Sequence, residues 1–173
     1  MLTKLLKALA PATSTITQPG SNAQKLTEAV VSLSVHSDVA PNRMIPALAL
    51  VYAIWTFAGS AAISVAGQAM SRPEGLDNNH PRKHRQSMTG LPLRLMSAHH
   101  SLMESFPLFA SAASLAQGLA PGEQEMVNLL GLHVLLKVFI FYPAYVFNVS
   151  PVRSLSHLLS TAAILRVLWM LAA

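Results

Sequence analysis

Between Arg43 and Arg72 no residue carries a formal charge, and the run IPALALVYAIWTFAGSAAISVAGQAM fills that gap. A helix of about 20 apolar residues crosses about 30 Å of hydrocarbon, so this run predicts a membrane-spanning helix with length left over for tilt. Three further apolar stretches follow, over 91–120, 126–147 and from 152 to the C-terminus. Hydrophobic side chains make up 52% of the 173 residues and charged ones only 11%, where a soluble domain carries about a quarter charged residues. The expected fold class is all-α, an integral membrane four-helix bundle over residues 41–173 that contacts membrane lipid.

The later stretches differ from the first in carrying ionisable groups: Arg94, His99, His100 and Glu104, then His133 and Lys137, then His157 and Arg166. Such groups are costly at the bilayer centre and face a bundle interior or a wet cavity. Orientation follows from the connections. The 71–90 segment holds Arg72, Arg82, Lys83 and Arg85, whereas the short APGEQE turn has two glutamates and no cation. The basic loop therefore faces the cytosol, or the matrix if the membrane is mitochondrial, with the Asn148–Arg153 turn on the same side. Ala58, Ala62 and Ala66 recur every four positions, a spacing that suits close helix approach as well as ordinary lipid-facing sequence.

Residues 1–40 are of another kind. MLTKLLKALA sets leucines against Lys4 and Lys7, and no acidic residue occurs before Glu28. This is the pattern of a mitochondrial targeting segment, of a retained surface helix, or of a tail without a role. Endoplasmic reticulum or a bacterial inner membrane are the alternative locations. The net charge of +5 does not imply nucleic acid, because the cations are scattered and few aromatic residues lie among them. The chain has no cysteine, which excludes disulfides, thiolate metal sites and a cysteine nucleophile.

On the second apolar stretch Arg94, Ser97, Ser101 and Glu104 fall within an arc of about 80°, with His100 about 40° beyond. Depth along the helices puts Glu104 within reach of Lys137 and Tyr145 on the antiparallel third helix. Such a stripe is either a structural polar pair that fixes helix register or a ligand site. His100 and Glu104 could share a metal, but a third ligand and an HExxH pattern are both missing, so no metal site is expected. His133 and His157 read as core or interface histidines, and a serine hydrolase lacks its GxSxG elbow.

RLMSAHHSLMESFPLF resembles the signature R-x-x-R-A-H-x-N-x-x-E-x-x-P-x-F of the MAPEG superfamily, the membrane-associated proteins of eicosanoid and glutathione metabolism, through Arg94, Ala98, His99, Glu104, Pro107 and Phe109. LDNNHPR resembles the D-N-x-x-P-R before this helix, through Asp77, Asn78, Pro81 and Arg82. YPAYVFNVSPVRS resembles the junction of the third and fourth helices, with Tyr145 eight residues before Arg153. The resemblance implies a homotrimer of four-helix transmembrane protomers, with glutathione held between subunits at the cytosolic-side end. It implies that Glu104 anchors the glutathione amino end, that Arg94, His99 and Ser101 stand at polar contact positions, that Tyr145 contacts the peptide, and that Arg153 activates the thiol. Ser97 and Ser101 stand where relatives carry arginine and asparagine, Phe141 stands where many carry tyrosine, and Lys137 is about one residue out of register with an expected arginine. His99 lies about 140° from Arg94 and should point to another helix or subunit.

Three function classes follow. The first is a glutathione-dependent transferase or peroxidase acting on lipophilic electrophiles or lipid hydroperoxides. The second is a non-catalytic lipid-binding member, and the third a structural subunit of an organellar membrane complex.

Overall fold

The computed structural model describes residues 40–77 and 79–173, together with 20, 22, 24–26, 28 and 29. The amphipathic start MLTKLLKALA and Asn78 lie outside the described residues. Four long helices carry the fold: α1 (Met44–Met70), α3 (Gly90–Leu119), α4 (Gln124–Val146) and α5 (Ser150–Ala172). A short α2 (Pro81–Gln86) lies in the basic loop. The described residues contain no strand. Three of the helices, α1, α4 and α5, are long and apolar enough to cross a membrane. The fourth, α3, is the longest at 30 residues and carries the polar stripe. α1 packs along α3, and α4 along α5, with α3 also against α5.

The distribution of side chains on α1 is the reverse of a soluble helix. Thr56, Ser60, Ser64 and Gly67 are buried, while Leu50, Ile54, Phe57 and Val65 are exposed. Lipid tails are as apolar as leucine, so packing selects small residues that let backbones approach and hydroxyls that can bond inside. Ala58, Ala62 and Ala66 face outward, so the packing within the chain uses the serine–glycine stripe and not the alanines. Hydrogen bonds close the α1–α3 seam. Ser60 Oγ donates to the Thr56 carbonyl at 2.9 Å, so His99 Nδ1–H donates to Ser60 Oγ, also at 2.9 Å. Ser105 Oγ donates to the Leu102 carbonyl, and Tyr52 OH donates to Ser105 Oγ at 2.9 Å. Ser60→Ala strands the His99 donor and is expected to lower stability by about 1–2 kcal/mol. Thermal unfolding in detergent, compared with the exposed Ser114→Ala, checks this; equal midpoints would contradict it.

The basic loop is tied down by side chains. Asp77 Oδ1 accepts the backbone N–H groups of Asn79 (3.0 Å) and His80 (2.8 Å). The His80 N–H, foremost, holds the Asp77 carboxyl below the usual carboxylate range. His84 is buried, with Nδ1 accepting the Asp77 N–H at 3.1 Å and Nε2 2.7 Å from Ser71 Oγ. Accepting at Nδ1 leaves the proton on Nε2, so His84 donates to Ser71 and cannot act on it as a base. At the far end of the molecule Glu125 and Arg166 pair at 3.4 Å, a partly exposed contact that links the first turn of α4 to α5.

Candidate functional site

The turn between α4 and α5 is the structural pivot of the site. Asn148 takes φ 60, the left-handed conformation that asparagine tolerates better than most residues. The Val149 N–H then reaches the Ala144 carbonyl at 2.8 Å and the Asn148 N–H the Tyr145 carbonyl at 3.2 Å, the double bond pattern that ends a helix and reverses the chain. Arg94 completes this cap, its Nε donating to the Val146 carbonyl at 2.9 Å. A cation at a helix C-terminus also meets the negative end of the backbone dipole. Arg94 thus fastens α3 to the end of α4, and the turn it secures carries Tyr145 on one side and Arg153 on the other.

These two side chains meet. The Arg153 guanidinium carbon lies 4.6 Å from the centre of the Tyr145 ring, a cation–π contact that holds a flexible cation in one orientation. They form one end of an open groove of about 600 Å³, walled by Ser101 and Glu104 from α3, Phe141 and Tyr145 from α4, and Arg153 and His157 from α5. Four of the six residues singled out from the sequence, Ser101, Glu104, Tyr145 and Arg153, therefore share one groove. Arg94 and His99 lie outside it, the first at the α4 cap and the second turned toward Ser60 on α1.

The partner expected for Glu104 is a correction. Lys137 does not pair directly with it: the Lys137 ammonium is buried, bonds to His157 Nδ1 at 2.8 Å and lies 4.4 Å over the Phe141 ring. The Glu104 carboxylate is within electrostatic reach of both Lys137 and His157. Helical depth fixes position along the axis only, and around the axis His157 stands nearer to the lysine; α4 also contains a π turn over Leu136–Phe141. Such a turn absorbs one extra residue. Eight α-helical steps from Lys137 to Tyr145 would leave them about 80° apart, whereas seven effective steps bring them to within about 20°. The turn thus brings the lysine back toward the face that carries Tyr145. His157, read from the sequence as a core or interface histidine, is exposed on the groove wall. Its spacing of four from Arg153 on α5 was the available signal.

No group of three or more His, Asp or Glu capable of holding a metal occurs among the described residues. The groove sets a carboxylate, Glu104, and an arginine stacked on a phenol in one wall system, with exposed leucines at Leu155 and Leu158 beside it. It can hold a polar ligand at its charged end and meet an apolar one from the lipid side.

No curated protein and no solved structure matches the chain. The sequence model of the MAPEG family matches residues 45–173. That span takes in α1 through α5, the arginine-fastened turn and every wall of the groove, and with three apolar spanning helices it identifies an integral membrane protein. This chain belongs to the MAPEG family, whose members are membrane-associated proteins of glutathione and eicosanoid metabolism.

Proposed function

We propose that the groove binds glutathione and that the protein is a glutathione-dependent transferase or peroxidase acting on lipophilic electrophiles or lipid hydroperoxides. The observation that carries this reading is the convergence of Glu104, Tyr145 and Arg153, from three different helices, on one groove. In this reading α3 crosses the membrane with the other three helices, and the four-helix protomer assembles as a homotrimer. Its outward alanine stripe and exposed apolar faces supply contact surface. The basic 71–90 loop and the α4–α5 turn face the cytosolic side, where a soluble tripeptide enters.

The chemistry follows from charge. A free thiol ionises near pH 8.5, and the thiolate is the nucleophile. A guanidinium beside the sulfur favours the ionised form without itself losing a proton. Arg153, held on Tyr145, supplies that charge, while Glu104 opposite it attracts the ammonium end of the tripeptide. Ser101 adds a hydroxyl on the α3 wall of the same groove. The apolar substrate enters from the acyl-chain side and meets the thiolate inside the groove.

Mixing glutathione with the purified protein should produce the ultraviolet absorbance of the thiolate at neutral pH. Absence of any such signal at saturating glutathione would remove the enzyme reading and leave a lipid-binding or structural member. Glu104→Gln keeps the shape and removes the charge, and is expected to weaken glutathione binding about 10- to 100-fold, the loss of a charge-assisted contact. Equilibrium dialysis checks it, and an unchanged affinity with an intact assembly would take Glu104 out of the site.

A further inference from the structure

His157 stands on the groove wall, yet glutathione binding and thiol activation do not use it. Its Nδ1 lies 2.8 Å from the ammonium of Lys137, which has no exposed surface. An ammonium has N–H groups only and no lone pair, so the direction of this bond is forced: Lys137 donates and Nδ1 accepts. The neutral ring then carries its proton on Nε2. Among the described residues Nε2 has no hydrogen-bond partner, while the ring itself is steadied by Phe141, centroid to centroid 5.7 Å. Lys137 in turn is held by the same Phe141 ring and by the charge of Glu104. A buried donor-only cation thus fixes one tautomer of a histidine whose free N–H is available to whatever occupies the groove.

We propose that His157 is the proton donor to an oxyanion leaving group, with Lys137 as its positioning residue and second proton source, and that hydroperoxides are therefore the favoured second substrate. This rests on the glutathione reading above. The glutathione thiolate attacks the terminal oxygen of a hydroperoxide; the O–O bond breaks, an S–O bond forms, sulfur is oxidised by two electrons and the peroxide is reduced. The leaving alkoxide takes the Nε2 proton of His157 while a Lys137 N–H passes to Nδ1; Nε2, on the exposed groove side, then takes a proton from water and Nδ1 returns its proton to Lys137. The products are an alcohol and glutathione sulfenic acid, which a second glutathione converts to the disulfide and water. An alkoxide is a poor leaving group and gains much from protonation. Chloride displaced from a chloronitrobenzene needs no proton, so the same thiolate chemistry there gains nothing from the histidine.

The test compares cumene hydroperoxide with a chloronitrobenzene, each with glutathione, on the full-length protein in detergent. His157→Gln should lower the ratio of hydroperoxide to chloronitrobenzene turnover about 100-fold, the low end of the range for positioned acids. Lys137→Met should lower the same ratio, and Lys137→Arg, which keeps a donor-only cation, should recover part of it. A ratio unchanged in both His157→Gln and Lys137→Met, with wild-type turnover present, would overturn the proton-donor assignment and leave glutathione chemistry standing. Wild-type protein without glutathione-dependent turnover of either substrate would overturn both readings together.

Discussion

Arg153→Ala is expected to lower glutathione-dependent turnover about 100- to 1,000-fold, the loss measured when a preorganised donor to a developing anion is removed. Binding of glutathione should fall by much less. The guanidinium is stacked 4.6 Å over the Tyr145 ring, at the groove end formed by the capped α4–α5 turn, so it is already oriented before substrate arrives. In the proposed reaction its charge acts on the sulfur, and ionised sulfur matters more to the transition state than to ground-state binding. Lysine at this position keeps the charge but gives up the planar stack, and should retain an intermediate rate. The thiolate absorbance, measured beside steady-state kinetics, separates the two effects. Full turnover in Arg153→Ala would remove the arginine from the chemistry, and a loss confined to KM would make it a binding group only.

A second large effect is expected far from the groove. Gly67 is buried between α1 and α3, and a Cβ there would stand 2.8 Å from Leu95 Cδ1 and 3.6 Å from Pro92 Cα. The first contact is the end of a flexible side chain and can yield; the second is an ordinary van der Waals contact with the backbone of the facing helix, which leaves no room for anything larger. Alanine at this position should therefore be tolerated at modest cost. Gly67→Phe must separate the helices, and overpacking of this kind costs about 1–3 kcal/mol or more. The shift would also displace the start of α3, where Arg94 holds the α4 cap, so activity should fall with stability. Gly118 is the matched control, since a Cβ there meets nothing within 4 Å. Thermal unfolding followed by helical circular dichroism should show a depressed midpoint for Gly67→Phe and little change for Gly118→Phe. Equal midpoints would contradict the close α1–α3 contact.

The helices were legible because a membrane imposes a strong rule on sequence. The uncharged run between Arg43 and Arg72 became α1, and the stretches expected over 91–120, 126–147 and from 152 onward appear as α3, α4 and α5 with ends moved by one or two residues. The stripe on α3 was legible for a related reason: Glu104 and Ser101 in an apolar helix need somewhere polar to face, and the groove is that place. His99 was expected to leave the Arg94–Glu104 face for another helix, and it bonds to Ser60 on α1.

What could not be read depends on backbone phase. Wheel arithmetic assumes a constant 100° per residue, and both α1 and α4 contain a π turn, at Trp55–Gly59 and Leu136–Phe141. Neither leaves a mark in composition. The second one decides that Lys137 shares a face with Tyr145. Burial of the serine–glycine stripe in place of the alanines has a separate cause, since a hydroxyl in lipid must find an internal acceptor whereas a methyl need not. The direct Glu104–Lys137 pair failed because helical depth locates a residue along the axis only; around the axis, His157 stands nearer to the lysine. Arg94 was assigned to ligand contact by resemblance, yet its Nε is committed to the Val146 carbonyl.

On the proposed function, the groove bounded by Glu104, Tyr145 and Arg153 takes a soluble tripeptide into a membrane protein. Isothermal titration of glutathione into the detergent-solubilised protein should then give a saturable heat that weakens sharply in Glu104→Gln. A flat titration up to millimolar glutathione, from protein that is helical and assembled, would rule glutathione binding out.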